Sequence, residues 1–442
     1  MNDYEETSIL DKIREKEFKY LKDHVYLDYT GSALYSEYQI NKHSQILKNN
    51  VYGNPHSENL TSKLSTKKIE EARLSVLKFF NADPEIYSVI WTPNATGAIK
   101  LVGENYPFDE DSRLLLTSDV HNSCNGCKRY AEKKRSKIRY IPLDKELRLY
   151  NTKAYLNRKL IGNNLFMFPA QCNLSGVKHP LSLIDYASRR GWDVFLDASC
   201  YIPTSYLDLA IYKPDYVSVS FYKIFGYPTG VGALIAKKTS LEKLDRVYFG
   251  GGTVGAVSLK GDLVFRAPNP AGLEDGTVNF LNILAVPIGL KFISNIGYDI
   301  ISKRVYFLID YIFKRMMTYK HQNGVMLVKI YGPLTMEDRG GIIAFNLRDK
   351  NGVLIKHIKV LEEANKYNIS LRDGCMCCPG GVEAKLNSET ILKCSFQNTS
   401  KKYVDCLEKS CGNYGVVRVS VGLVSNLEDI KTFLYFIKKF LS

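Results

Sequence analysis

Lys223 lies in SVSFYKIFGYPTG, just past the apolar run DYVSVS (215–220), in surroundings too apolar for a casual surface lysine. Burial there is expected to lower the proton affinity of its amine. That makes it a nucleophile suited to a Schiff base with a carbonyl and to moving a proton at a neighbouring carbon. Asp197 ends another apolar run, DVFLDAS, where a carboxylate is costly unless it meets a cationic or protonated partner. Read singly, Lys223 fits an exposed lysine at a strand end and Asp197 fits a helix cap. Read together, they suit a protonated ring nitrogen opposite an amine-bound carbonyl, which is the chemistry of pyridoxal phosphate.

Donors for a phosphate are also present. Ala95 and Thr96 in TPNATGAIK lie between a strand and a helix, where amides and a hydroxyl can meet an anion. Ser220, three residues before Lys223, and Thr277 in EDGT are further hydroxyls. Small residues in such turns also arise for conformational reasons alone.

A third group is sulfur chemistry. Cys377 stands in RDGCMCCPGG, a segment punctuated by Gly and Pro that reads as a loop. A cysteine that collects sulfur inside a pocket and delivers it outside belongs on such an element, with thiolate character. Arg372, five residues earlier, offers the two-donor fork that suits a carboxylate, and Arg418 in VVRVS is a second candidate. Cys375 and Cys378 are alternative carriers, or packed thiols. With the CxxC pair Cys124 and Cys127 they also make a four-thiolate zinc site conceivable, although the spacing does not demand one and no metal is expected. The ten cysteines do not read as a disulfide framework, so reduced thiols are expected.

The elements that position these residues alternate between helix and strand. Ile69, Ala72, Val76 and Phe79 recur at helical spacing. Short apolar runs at 87–92, 113–118, 137–143, 164–170, 193–199 and 215–220 then read as buried strands with helices between several of them. This pattern predicts an α/β protein with a mostly parallel sheet covered on both faces, and binding residues at the carboxyl ends of the strands. The pattern changes near residue 300. The expected organisation is an N-terminal segment (1–40) packed on the small domain, a large cofactor-binding domain (41–300) and a smaller α+β domain (301–442) carrying the cysteine loop.

No run reaches the roughly 18 apolar residues of a spanning helix, and MNDYEETS resembles neither a signal nor a transit peptide. A cytoplasmic protein without a membrane role is expected. The net charge of +14 favours anionic ligands or partners. The basic stretch 127–137 lacks a nucleic-acid-binding motif and reads as a solvated helix face.

The stretches VYLDYTGSALY, GNPHSEN, FPAQCNLSGVKHPLSLI, DVFLDASCYIPTSYLDLAIYKPDYVSVSFYKIFGYPTGVGAL, YFGGGTV, LEDGTVNFLNI, LRDGCMCCPGG and VVRVSVGLVSNLEDI occur in this order. They resemble the aminotransferase-like domain of molybdenum cofactor sulfurases. That family is similar to the cysteine desulfurases, within class V of the fold type I pyridoxal-phosphate-dependent transferases. The resemblance implies that Lys223 carries the cofactor, Asp197 meets its ring nitrogen, His121 in DVHNS stacks on the ring and Asn173 in QCNLSG lies near the ring hydroxyl. It implies Ala95, Thr96 and Ser220 at the phosphate, with Thr277 supplied by the other subunit of a homodimer. It places Arg372, Arg418 and His56 in GNPHSEN near an amino acid substrate, and makes Cys377 the persulfide cysteine.

Cys200 and Tyr222 stand where desulfurases commonly have glutamine and histidine, and the phosphate turn reads NAT in place of GAT. The function implied is transfer of sulfur from L-cysteine to Cys377, with alanine released, and then to the molybdenum cofactor or a protein carrying it. Family members carry a further β-rich domain for that cofactor, and this chain is expected to stop before it. Two alternatives stay open: a cysteine desulfurase or selenocysteine lyase serving another acceptor, and a non-catalytic scaffold or zinc-stabilised binding protein.

Overall fold

The computed structural model describes residues 2–384, 391, 394–397, 399–411 and 414–442. Its centre is a seven-stranded sheet. In chain order the strands are β1 (Tyr87–Thr92), β2 (Arg113–Thr117), β3 (Lys137–Ile141), β4 (Asn164–Pro169), β5 (Asp193–Asp197), β6 (Tyr216–Ser220) and β7 (Gly232–Lys237). They lie in the order β1-β7-β6-β5-β4-β2-β3. Neighbours from β6 to β3 pair parallel, while β7 runs antiparallel to both β1 and β6. The six apolar runs become β1 to β6. Strand β7 was not among them, and its direction has a simple cause: the connection 221–231 is too short for the crossover that a parallel return needs.

Helices cover the sheet. Helix α1 (Leu60–Phe79) buries Ile69, Ala72, Val76 and Phe79, the residues whose spacing marked it, and Asn59 caps it by accepting from the Ser62 amide at 2.9 Å. Helices α2 (Ala95–Asn105) and α3 (Asn122–Lys133) each start just beyond a strand end and pack on each other. Strands β4 and β6 are buried along their whole length, as two covered faces require.

A second sheet of four antiparallel strands follows: β8 (Val328–Tyr331), β9 (Ile342–Leu347), β10 (Arg372–Gly374) and β11 (Val416–Ser420), in the order β8-β9-β11-β10. The N-terminal residues lie against this half. Val25 and Tyr26 pair parallel with Ile369 and Ser370, and Arg14 donates to Asp429 at 2.9 Å. One hydrophobic cluster joins the large sheet to the later helices, with Phe166, Leu196, Leu308 and Phe433 among its members.

Among the described residues no single helix is long and apolar enough to cross a membrane. The hairpin Val254–Ser258 with Leu263–Arg266 stands out from the fold with most of its residues exposed. Cys394 and Cys406 form a disulfide, which departs from the expectation of reduced thiols throughout. Their proximity is set by how the segment folds back, which spacing alone does not reveal.

Candidate active site

Five segments that leave the carboxyl end of the large sheet line one cavity of about 340 Å³, a volume ordinary for small-ligand sites. Asn94, Ala95 and Thr96 come from the turn after β1, Asp119 and His121 from that after β2, and Gln171 and Asn173 from that after β4. Asp197 and Cys200 follow from the end of β5, and Ser220, Tyr222 and Lys223 from the end of β6. The parallel register brings these ends to one edge of the sheet, so residues over a hundred positions apart become neighbours.

Asp197 is held from behind. Its Oδ1 accepts from Ser199 Oγ at 2.6 Å, the Ser199 amide at 3.1 Å and Ser218 Oγ at 3.0 Å. Lys223 lies in the one-turn helix Phe221–Phe225 directly after β6. Burial pushes its ammonium down, but the Cys200, Tyr222 and Asp197 side chains outweigh it, and its pKa stands above the ordinary value. This corrects the expectation from apolar surroundings alone. Burial pushes the Cys200 thiol up in turn, with Lys223 acting against it.

His121 caps α3, its Nδ1 accepting from the Ser123 amide at 3.1 Å. Burial lowers its pKa, with Lys223 and Arg418 adding to the effect against Asp197, so the ring is neutral near pH 7. At the start of α2 the Ala95 amide donates to Ser220 Oγ at 2.8 Å, and Thr96 Oγ1 meets Ser123 Oγ at 2.8 Å. Asn94 is extended, with its side chain capping α2 through the Gly97 amide at 2.9 Å, so the NAT turn needs no left-handed residue.

The donor set fits pyridoxal phosphate. It offers an amine for the carbonyl, a fixed carboxylate for the ring nitrogen, a neutral imidazole, and an amide and hydroxyls at a helix start. Asn173 Oδ1 and Gln171 Oε1 are buried without a hydrogen-bond partner among the described residues, which is costly unless a bound group donates to them.

Cys377 is exposed, and it and Met376 both adopt left-handed backbone at φ of 52° and 54°. The loop is moored to the large sheet. The Asn122 amide donates to the Cys377 carbonyl at 2.8 Å, Asn173 Nδ2 to the Met376 carbonyl at 2.6 Å, and Cys378 Sγ to the Asp119 carbonyl at 3.2 Å. A Cβ at Gly380 would collide with the Ser118 carbonyl, so the backbones touch there. Cys378 is buried, and its hydrogen bond with the Cys172 thiol together with burial pushes its own thiol well up. It is therefore a packed thiol and not a helper on the surface. Cys124 and Cys127 are buried between α2 and α3, Cys127 pushed up to about 12 by burial. Among the described residues no three His, Cys, Asp or Glu side chains gather as metal ligands would.

Neither arginine is in the wall of the Lys223 cavity, but Arg418 lies close enough to act electrostatically on Lys223 and His121. Arg418 is buried and donates to the Asn173 carbonyl at 2.9 Å, while Arg372 is half-exposed and bound to Asp28. Thr277 lines a neighbouring cavity of about 420 Å³ that shares Pro93 and Gly230 with the first. His56 is exposed and lies against Gly252, outside the Lys223 cavity. Sequence reasoning missed two features. Asp119 forms a buried pair with His179 at 2.7 Å, and His179 holds its carboxyl below the usual range against the effect of burial. Asp28, inside the apolar YLDY, is the second. A carboxylate between buried neighbours was the available signal.

The model of the aminotransferase class-V family matches residues 25–433. The molybdenum cofactor sulfurase of Oryza sativa subsp. japonica is 35% identical over 97% of this chain and 57% of its own length. That of Homo sapiens is 33% identical over 97% of this chain and 51% of its own length. The chain thus spans about half the length of the curated relatives it matches. Among solved structures, a cysteine desulfurase from Thermococcus onnurineus superposes with a TM-score of 0.80 at 22% identity, covering 97% of both chains. The cysteine desulfurase CsdA from Escherichia coli does so at 0.78 and 18% identity, covering 98% of both. At these identities the likeness shows the fold, that of the cysteine desulfurases.

Proposed function

Because the chain belongs to the aminotransferase class-V family, we propose that it is a pyridoxal-phosphate-dependent sulfurtransferase that moves sulfur from L-cysteine to Cys377 and on to the molybdenum cofactor. The observation that carries this reading is that the loop presenting the exposed Cys377 is moored to Asp119 and Asn173, both of which line the Lys223 cavity.

Pyridoxal phosphate, when bound, supplies a carbonyl for an amino group and an electron-withdrawing ring. Lys223 Nζ would hold that carbonyl, and its free amine is placed to take the substrate's α-proton and later return it. Asp197, oriented by Ser199 and Ser218, would meet the ring nitrogen and keep it protonated. His121 would line the site as a neutral ring without adding charge. Ser220, Thr96 and the amides that begin α2 would hold the phosphate. The Cys377 thiolate would attack the substrate sulfur, forming the S–S bond as the substrate's Cβ–S bond breaks; a proton taken up at Cβ and the α-proton returned by Lys223 then leave alanine.

A homodimer completes the site by placing the partner subunit's Thr277 at the phosphate. What supports this is that Gly276, next to Thr277, bonds to the Gly251 carbonyl just ahead of the projecting hairpin, whose Leu259, Leu263 and Phe265 are exposed apolar side chains that a second copy would cover. A cytoplasmic location belongs to the same proposal.

A second reading is a cysteine desulfurase serving another acceptor, since the net charge of +14 suits an acidic sulfur-carrier protein as well as an anionic cofactor. Purified protein given L-cysteine should release alanine and accumulate protein-bound persulfide. The labelled sulfur should then pass to molybdenum cofactor in preference to a sulfur-carrier protein; the reverse preference selects the second reading. Absence of alanine release rules out both.

A further inference from the structure

Arg372 and Arg418 are direct cross-strand partners on β10 and β11. Like charges opposite one another in a sheet repel, and Arg418 is almost fully buried, at 3% exposure. Asp28 resolves both problems. It reaches the pair from the N-terminal segment, its Oδ2 accepting from Arg372 Nη2 at 2.6 Å and Nε at 3.0 Å, and its Oδ1 from Arg418 Nη2 at 2.9 Å. The bond to Asp28 raises the pKa of Arg372, whereas burial lowers that of Arg418 despite Asp28.

We infer that Asp28 is a positioning residue that turns the Arg372–Arg418 pair into a receptor for a single carboxylate. The inference rests on the reading of the chain as an enzyme acting on an amino acid. Two guanidiniums and one carboxylate leave one net positive charge, which matches a monocarboxylate. Asp28 occupies the Nε–Nη2 edge of Arg372, and Nη1 makes no hydrogen bond among the described residues. The end-on edge is therefore the one left for a ligand, and a half-exposed side chain is held in one orientation before the ligand arrives. Gly31 belongs to the same device: a Cβ there would collide with both Arg372 Nη2 and Asp28 Oδ2. The chain can make this ion pair because position 31 has no side chain.

The test compares wild type, Asp28→Asn, Gly31→Ala, Arg372→Ala and the double variant Asp28→Asn/Arg372→Ala, all loaded with cofactor. Loss of a charged hydrogen-bond partner should raise KM for L-cysteine about tenfold with kcat changed far less, and should weaken L-alanine binding, read from cofactor absorbance without turnover, by the same factor. Gly31→Ala should shift both in the same direction. In the Arg372→Ala background, Asp28→Asn should add less than about threefold, because its effect runs through that arginine. Equal losses in kcat with KM unmoved, additive losses in the double variant, or tighter L-alanine binding in Asp28→Asn would each overturn the inference, the last by making Asp28 a competitor. A wild type that binds L-alanine but releases no alanine from L-cysteine would overturn the proposed function instead, while the L-alanine comparison still decides the role of Asp28.

Discussion

Lys223 and Cys377 belong to one reaction, yet the regions that carry them are built differently. Around Lys223 the strands β1, β2, β4, β5 and β6 are mostly buried, while the edge strand β3 is not, and Asp197 and Ser220 each have partners from a different segment. Around Cys377 the loop is half-exposed, two consecutive residues are left-handed, and three hydrogen bonds and one backbone contact hold it to the large sheet. The difference separates two tasks. Proton transfer at carbon needs fixed geometry. Carrying sulfur from a cavity to an acceptor needs an element that can leave its seat, and such elements come from the less stable parts of a fold.

The comparison breaks most visibly at Lys223. Lys223→Ala should lower alanine release by about 10³-fold or more, as loss of a positioned proton carrier does, while the melting temperature stays near wild type. A large drop in melting temperature would mean that Lys223 serves the fold. Next is the contact beneath the loop. Gly380→Ala should destabilise the protein by about 1–3 kcal/mol, since its new methyl group meets the Ser118 carbonyl, and should slow persulfide formation. Unchanged chemical denaturation would show the loop to be looser than its contacts imply.

The smallest effect is one of pH. Burial holds His121 below its ordinary pKa of 6.5, so the unfolded chain binds this proton first as pH falls. The associated stability is present above pH 6.5 and is lost as pH drops through the lower folded value. His121→Phe should flatten that part of the stability profile, measured by denaturant titration across the window. A profile that keeps its slope would move the cause to another group.

Much of the rigid region is legible in sequence. Runs such as VFLD and YVSVS are apolar because both faces of the sheet are covered, and the polar residues at their ends stand out. What sequence does not reveal is contact between distant segments. Asp28 meets Arg372 and Arg418 across 344 and 390 residues, and no periodicity links them. The direction of the Lys223 shift is hidden for the same reason: the apolar run shows burial, whereas the Cys200, Tyr222 and Asp197 side chains that raise the pKa come together only in the fold. The adjacent Cys377 and Cys378 look alike in RDGCMCCPGG, and only the fold exposes one and buries the other.

That last contrast gives the most direct test of the central claim. After reaction with L-cysteine, the protein is digested without reduction and the peptide holding residues 375–378 is sequenced by mass spectrometry. The account predicts one added sulfur on Cys377, its loss in Cys377→Ala, and its retention in Cys378→Ala. Added sulfur on Cys375 or Cys378, or persulfide at wild-type level in Cys377→Ala, would contradict it.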